Sequence, residues 1–185
     1  MRTKEMASVV KSKIEASPSG ISAKFVALND KWGVKLFHEE ETRDVSYELQ
    51  KRAASWDLAP KVGGVLDLPK SDTTCLRRRR YEETYCFGFI TQIVEVVGDI
   101  LRKRDGIVCV TDGVYQTADG KDVSIMRMYE LFREWLKEGD NKQEIEDVTE
   151  QYSHLLGWSF YDDHYDNWGV LPDGSFVCID FGGNS

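Results

Sequence analysis

Apolar and polar residues follow a strand-like pattern in the first part of the chain. Two short apolar runs, Ile21–Leu28 and Trp32–Phe37, flank the turn sequence Asn29-Asp30-Lys31. From Thr42 to Trp56 the pattern lengthens to that of a helix, and Thr42 is its candidate N-cap. The apolar stripe of this helix, which we expect to face a core, consists of Val45, Leu49, Ala53 and Trp56. The pattern predicts a hairpin followed by one helix.

The rest of the chain adds strands first and helices afterwards. Strands are predicted at Val62–Leu68, Thr84–Val94 and Ile107–Val110, and a closing hairpin at residues 168–179. Two amphipathic helices precede that hairpin; their apolar stripes are Ile125, Met128, Phe132 and Trp135, and Ile145, Val148, Tyr152 and Leu155. This order predicts an α+β chain. We expect one domain of two lobes: residues 1–95 with an antiparallel sheet and one helix, and residues 96–185 with a reduced, mainly helical lobe.

The closing hairpin carries the candidate chemistry. Its two apolar runs flank Pro172-Asp173-Gly174-Ser175, and a four-residue turn places Asn167 opposite Asp180. Asp162 lies on the loop that leads into the first strand. A carboxamide and two carboxylates would then converge at one end of the hairpin. Such oxygen ligands suit Mg²⁺ beside a phosphate.

The order Asp162-x-x-x-x-Asn167, a hairpin and then Asp180-Phe181-Gly182 resembles the catalytic and metal-binding loops of the protein-kinase-like superfamily. The resemblance implies that Asp162 orients the acceptor hydroxyl and accepts its proton. It also implies that Asn167 and Asp180 bind the metal and, through it, the nucleotide. ATP and Mg²⁺ are therefore the expected cofactors.

The first lobe offers a second half for such a site. Lys35 lies within the apolar run Trp32–Phe37 and shares a strand face with Gly33 and Phe37, which favours an ionic partner for its ammonium group. The resemblance supplies Glu48 of the following helix as that partner, in a pair that holds the α- and β-phosphates. A surface lysine that reaches solvent along its apolar stem is the alternative for Lys35.

Two further nucleotide contacts are implied by the resemblance. Gly20 is the one glycine that matches the phosphate-covering loop of the family, and the other two glycines are missing. Glycines in that loop let backbone N–H groups approach phosphate, so their loss predicts looser contact. Glu95 ends the segment Gln92–Glu95, where backbone groups would meet adenine.

Composition narrows the class of protein. Apolar residues make up 41% of the chain, as in globular proteins, and no apolar run is long enough to cross a membrane. The first residues lack a signal-peptide pattern, and the four cysteines have no paired spacing. We therefore expect a cytoplasmic protein, or one delivered into a host cytoplasm. The net charge of −8 makes nucleic acid an unsuitable partner.

Only three residues follow Asp180-Phe181-Gly182, whereas the kinase family continues with a platform for a peptide substrate. In this respect the chain resembles minimal, atypical effector-type kinases of bacteria and phages that lack most of the C-lobe. We therefore predict an ATP- and Mg²⁺-dependent phosphotransferase, an atypical serine/threonine protein kinase acting on a protein or activated by one.

Three rival functions remain open. Phe160, at a position where the family often has His, favours a pseudokinase-type module that binds nucleotide or a partner without turnover. His164 is more similar to the loops of small-molecule kinases, such as the aminoglycoside-kinase-like enzymes. A metal-dependent phosphoesterase could use Asp162, Asp163, His164 and Asp166 instead, and it would not require ATP.

Overall fold

The structure, a computed structural model, describes residues 3–13, 23–68, 75–78, 81–84, 86–111, 114–157 and 164–180. Contacts within the chain divide it into two compact units. The described residues of the first unit fall within 1–55 and 60–93, and those of the second within 56–59 and 94–180. Antiparallel sheets and five α-helices make up the described part, so the predicted α+β class is confirmed.

An antiparallel sheet forms the framework of the first unit. Its strands are β1 (Ala23–Ala27), β2 (Trp32–Phe37), β3 (Val62–Asp67) and, after a separate hairpin of β4 (Cys75–Arg78) and β5 (Tyr81–Thr84), β6 (Phe87–Gln92). The order across the sheet is β1-β2-β6-β3. The strands that the apolar runs predict are therefore present, and β6 enters the sheet between β2 and β3.

Helix α1 (Thr3–Lys13) was not predicted, and it packs beside β1. The core on this side of the sheet consists of Val10, Val26, Val34, Leu36, Leu66 and Leu68. At the end of α1 the ammonium group of Lys13 donates a hydrogen bond to the carbonyl of Ala27 at 3.0 Å. Among the α1 residues whose burial the structure describes, Val10 is the one that is fully buried. A helix with so few buried apolar positions shows no clear helical period of apolar residues in the sequence.

Helix α2 (Glu40–Ala54) covers the opposite face of the sheet, and its predicted orientation was wrong. Val45 is 51% exposed and Trp56, just beyond the helix, is 59% exposed. The buried positions are Arg43, Ser46, Gln50 and Ala53, of which only Ala53 belongs to the predicted stripe. The predicted cap was also wrong, because the helix begins at Glu40 with Glu39 at the N-cap.

Specific polar contacts explain why polar residues of α2 face inwards. The guanidinium of Arg43 pairs with Asp44 at 2.6 Å, with Glu40 at 3.2 Å and with Asp67 of β3. The Gln50 amide donates hydrogen bonds to the Pro60 carbonyl at 3.0 Å and the Thr91 hydroxyl at 2.6 Å. Because buried polar groups are tolerated when they are paired, these contacts override the apolar stripe.

The second unit combines helices with two small sheets. Its elements are β7 (Glu95–Val96), α3 (Val97–Arg104), β8 (Ile107–Thr111), β9 (Val114–Thr117), β10 (Asp122–Val123), α4 (Ile125–Trp135), α5 (Asn141–Leu156), β11 (Trp168–Val170) and β12 (Phe176–Cys178). The sheet orders are β10-β9-β8 and β12-β11-β7. A 3-10 helix, Tyr165–Asn167, leads into β11 and is called the Asn167 turn below.

Packing of α4 and α5 agrees largely with their predicted stripes. Helix α4 buries Met128, Phe132 and Trp135 of its stripe, and helix α5 buries Ile145, Tyr152 and Leu155. Ile125, the first residue of the α4 stripe, is 54% exposed. In the part of the chain that the structure describes, no helix is long and apolar enough to cross a membrane.

Candidate functional site

The register of the closing hairpin differs from the predicted one by a single residue. Trp168 lies opposite Cys178, and the Leu171 N–H donates to the Ser175 carbonyl at 2.9 Å. Ser175 thus belongs to the paired strands, and the turn contains three residues, ending at Gly174 with φ of 90°. A left-handed residue at this point closes a three-residue hairpin loop. Asn167 therefore pairs with Ile179, and its predicted position opposite Asp180 was wrong.

Asn167 and Asp180 nevertheless lie at the same end of the hairpin. The Ile179 N–H donates to the Asn167 carbonyl at 2.9 Å, which leaves Asp180 one residue beyond this pair. The Cys178 thiol donates a weak hydrogen bond to the Asp180 carbonyl at 3.5 Å. Both candidate ligands are half-buried. The hairpin thus brings an amide and a carboxylate residue to one strand end.

Close backbone approach fixes the hairpin beside β7. A Cβ on Gly169 would come within 2.5 Å of Val94 Cγ2 and 3.0 Å of Ile179 Cγ2. Only glycine permits this distance without displacement of its neighbours, and Gly169 pairs directly with Val96 of β7. The strand end that carries Asn167 and Asp180 is therefore held against the segment that precedes α3.

Tyr152 of α5 lies near the Asp180 end of the hairpin. Burial raises the pKa of the Tyr152 hydroxyl well above its ordinary value, and the nearby Cys178 and Asp180 raise it further. The side chain is 2% exposed. The phenol therefore stays protonated at neutral pH and places no second negative charge beside Asp180.

A buried ion pair connects α3 to the Asn167 turn. Arg102 Nη2 lies 3.0 Å from Asp166 Oδ1 and 2.8 Å from Asp99 Oδ1. Its guanidinium also lies 5.1 Å from the centre of the Tyr115 ring. Burial lowers the pKa of Arg102, but the hydrogen bonds that its guanidinium donates to Asp99 and Asp166 raise this pKa above its ordinary value. The sequence analysis missed Arg102, although its spacing from Asp99 suits a helical ion pair.

His164 begins the Asn167 turn in a structural role. Its Nδ1 accepts a hydrogen bond from the Asp166 N–H at 3.2 Å, and its carbonyl accepts one from the Asn167 N–H at 3.0 Å. The ring stacks on Tyr165 at 4.6 Å and meets Tyr129 edge-on at 5.8 Å. His164 thus caps the turn that ends at Asn167.

In the first unit, Lys35 lies on the sheet face that α2 covers. It pairs across the strands with Phe89, whose ring contacts Tyr47 of α2 at 5.5 Å. The Lys35 ammonium lies 5.6 Å from the centre of the Phe37 ring, two residues further along the same face. The side chain is half-buried. Lys35 therefore combines a partly apolar environment with proximity to the helix that was predicted to carry its partner.

The structure places Glu48 with Lys51 rather than with Lys35. The two side chains of α2 lie 3.6 Å apart, and that of Glu48 is 67% exposed. Glu48 follows the buried Ser46 by two residues and precedes the buried Gln50 by two, so it lies about 200° around the helix from each. Glu48 flanks the predicted apolar stripe, and like Val45 of that stripe it faces outwards.

Glu95 lies at the start of the second unit. Its carboxylate accepts a hydrogen bond from Lys103 at 2.7 Å, and its backbone pairs with Val170 of β11. Two backbone N–H groups of the segment that was expected to meet adenine also have partners. The Gln92 N–H donates to the Lys61 carbonyl at 2.8 Å, and the Ile93 N–H donates to the Lys31 carbonyl at 2.9 Å. Contact between this segment and a nucleotide base stays a prediction.

Asp162 and Gly20 lie outside the described residues, as do Phe160, Asp163 and the Phe181-Gly182 pair. Within the described ranges, no group of three or more His, Cys, Asp and Glu side chains could hold a metal ion. A metal at this hairpin would therefore depend on Asn167, Asp180 and ligands from elsewhere, such as phosphate oxygens and water.

Comparison with known proteins identifies no family. No family model matches the chain, and no curated protein matches it in sequence. Among solved structures, the chain is similar to a type-2 SAICAR synthetase in complex with ADP, with 11% identity and a TM-score of 0.43 over 89% of this chain and 79% of that one. A likeness this remote says nothing about what the chain binds.

Proposed function

We propose that the chain is an ATP- and Mg²⁺-dependent phosphotransferase. The single observation that carries this proposal is the hydrogen bond from Ile179 to Asn167 at 2.9 Å, which brings Asn167 and Asp180 to the same hairpin end. This is the arrangement that the order Asp162-x-x-x-x-Asn167, hairpin, Asp180 predicts. This hairpin end supports the proposal that Asn167 and Asp180 hold a phosphate-bound metal.

The donor chemistry of the hairpin end fits Mg²⁺. This cation prefers oxygen ligands and usually keeps several waters beside one or two protein carboxylates and substrate phosphates. Asp180 would provide the carboxylate and Asn167 the amide oxygen. When bound there, Mg²⁺ would neutralise negative charge on the phosphates during transfer.

The remaining roles are assigned to other residues of the chain. Lys35 would bind the α- and β-phosphates, because its ammonium lies on the α2-covered face of the sheet, 5.6 Å from the centre of the Phe37 ring. Asp162 would orient the acceptor hydroxyl and accept its proton. Gly20 and the backbone near Glu95 would contact the nucleotide. A serine or threonine of a protein is the acceptor that we propose.

Glu48 would contribute only after a rearrangement of α2. Its side chain points away from the sheet and pairs with Lys51 at 3.6 Å. To reach Lys35, the helix would have to turn by about half a revolution, which would expose the buried Gln50 and Arg43. We therefore propose that Lys35 binds phosphate without Glu48 in the arrangement described here.

Thermal unfolding with ATP, with and without Mg²⁺, tests this proposal. Wild type should be stabilised in a Mg²⁺-dependent manner, by about 2.7 kcal/mol when ATP is at 100 times its Kd. Lys35→Ala and Asp180→Ala should lose the shift, whereas Asp173→Ala, which removes a carboxylate from the other end of the same hairpin, should keep it. The proposal fails if wild type shows no shift at millimolar ATP, or if Asp180→Ala retains it.

A nucleotide-binding module without turnover is the second candidate. The outward position of Glu48, which lies 3.6 Å from Lys51 and is 67% exposed, favours it, because Glu48 is then not in the catalytic role that the resemblance implies. Such a module would show the Mg²⁺-dependent stabilisation with no ADP formation above the rate of Asp180→Ala. ADP formation that requires Asp180 would exclude it.

A further inference from the structure

The Asn167 turn is too short to hold its own shape. It contains three residues, and the N–H groups of Asp166 and Asn167 both donate to the preceding residue, His164. Isolated turns of this length are only marginally stable in water, because one or two hydrogen bonds do not offset the cost of ordering the backbone. The position of Asn167 must therefore be set by contacts that the turn makes with its surroundings.

Asp166 makes two of these contacts. Its carboxylate binds Arg102 of α3 at 3.0 Å, in an ion pair whose arginine side chain is 12% exposed. The carboxylate also lies directly against Gly98 of the same helix, where a Cβ would come within 2.9 Å of Asp166 Cγ and 2.9 Å of Tyr165 Cδ2. The residue next to Asn167 is thus held from one side by a charge and from another by close packing.

Arg102 is itself held in place. Asp99 accepts from its Nη2 at 2.8 Å, and the Tyr115 ring of β9 lies under its guanidinium at 5.1 Å. Holding a long side chain in one geometry for an ion pair costs conformational entropy. The contacts with Asp99 and Tyr115 already order the Arg102 side chain, so its pairing with Asp166 costs less. Arg102 therefore presents its guanidinium to Asp166 in one arrangement.

We propose that Arg102 and Asp166 are positioning residues that hold Asn167 where the metal is bound. This inference rests on the proposed metal-ligand role of Asn167. Gly98 is part of this clamp because it lets the Asp166 carboxylate approach α3. Tyr115, on the β8–β10 sheet, supports Arg102 through the contact between its ring and the guanidinium. Neither Arg102 nor Asp166 contacts the reacting groups in this proposal; both act through Asn167.

Hydrogen exchange of the free protein tests the clamp without any ligand. In Arg102→Met the amides of Asp166 and Asn167 should exchange at least about tenfold faster than in wild type, while amides of α5 stay unchanged. Arg104→Met is the matched control, because Arg104 lies on the same helix and pairs only with Glu138 at 2.7 Å among the ion pairs of the described residues. Unchanged exchange at Asp166 and Asn167 in Arg102→Met would overturn the proposal.

The Mg²⁺ concentration that half-maximally supports ATP-induced stabilisation tests the link to function. Arg102→Met and Gly98→Ala should each raise this concentration about tenfold, and Arg102→Lys, which keeps the charge but loses the planar fork, should raise it less. At saturating Mg²⁺ the full shift should return. A purely structural ion pair would lower the unfolding temperature of the free protein and leave the Mg²⁺ requirement of the variants equal to that of wild type, which would refute the positioning role.

The two measurements separate this inference from the proposed function. If wild type shows no Mg²⁺-dependent stabilisation, the proposed function fails, and so does the link from the clamp to a metal. The exchange experiment would then still decide whether Arg102 and Asp166 hold the turn. Should Arg102→Met not fold, Asp166→Asn provides the same exchange test, because it removes the charge and keeps the side-chain shape.

Discussion

Single glycines decide how closely the backbone segments around the candidate site approach each other. Gly169 has the side chain of Val94 where its Cβ would be, and Gly64 has no atom within 4 Å of that position. The sequence presents both simply as glycines within strands. The difference between them arises from neighbours that are distant along the chain.

Gly169→Ala should therefore destabilise the protein by about 1–3 kcal/mol, because the added methyl group must displace Val94 or Ile179. The matched control, Gly64→Ala, should change stability by no more than about 1 kcal/mol and in the stabilising direction, because it reduces the entropy of the unfolded chain. Urea unfolding of the two variants measures both effects. Equal stability of the two variants would contradict the close approach of β11 to Val94.

Buried tyrosines are a second feature that belongs to individual side chains. Tyr152 and Tyr165 are 2% and 1% exposed, and burial raises the pKa of both hydroxyls well above the ordinary value. In the unfolded chain both would ionise near pH 10. The folded state therefore retains two protons that the unfolded state loses at high pH.

Stability should accordingly be complete below about pH 10 and fall as the pH rises further, by up to about 1.4 kcal/mol per pH unit for each tyrosine. Urea unfolding between pH 8 and pH 11 measures this slope. Tyr152→Phe should reduce the slope above pH 10, because one of the two protons no longer contributes. A slope identical to that of wild type would show that Tyr152 ionises in the folded protein as it does in the unfolded chain.

Among the secondary-structure elements, α2 shows how polar pairing determines helix orientation. Its apolar stripe contains Val45, which is 51% exposed, and its buried face contains Gln50, which is 1% exposed. The amide of Gln50 has two acceptors. The Pro60 carbonyl lies just beyond the end of α2, and the Thr91 hydroxyl lies far along the chain. The helix therefore turns the face with paired polar groups, rather than its apolar stripe, towards the sheet.

This orientation predicts opposite outcomes for two substitutions in α2. Gln50→Ala should cost about 1–3 kcal/mol, because it leaves buried acceptors without their donor. Val45→Ser should change stability by no more than about 0.5 kcal/mol, because the side chain is mostly in water. Denaturant unfolding midpoints of the two variants provide the comparison. A larger loss for Val45→Ser than for Gln50→Ala would restore the orientation that the apolar stripe predicts.

For the molecule as a whole, the candidate residues are divided between the two compact units. Lys35 and Glu48 belong to the first, whereas Glu95, Asn167 and Asp180 belong to the second. Each unit has its own buried core, with Val34 and Leu36 in the first and Trp168 and Val177 in the second.

Phosphoryl transfer, the proposed activity, has its own prediction. Asp180→Ala should reduce the rate of ATP-dependent transfer by about 10²–10³-fold or more, because charge stabilisation dominates this chemistry. Circular dichroism and the unfolding temperature without ligand should stay close to those of wild type. Transfer at the wild-type rate by the purified variant would refute the role of Asp180.

The amino-acid sequence by itself determined the α+β class, the strands of the first sheet, the two later helices and the hairpin that brings Asn167 and Asp180 to one end. These features follow from the period of apolar residues and from local turn chemistry, which act over a few neighbouring positions. The metal and phosphate roles of these residues stay predictions that the experiments above test.

Only the tertiary structure decided the register of that hairpin, the face that α2 buries and the ion pair between Arg102 and Asp166. Ser175 joined the strands because Gly174 closes a shorter loop. Residues 168–171 and 176–179 show no alternation of apolar and polar positions, so their pattern does not specify the register. Gln50 and Arg102 owe their orientation to partners such as Thr91 and Asp166. Pairing of polar groups over long sequence distances therefore decides what local periodicity cannot.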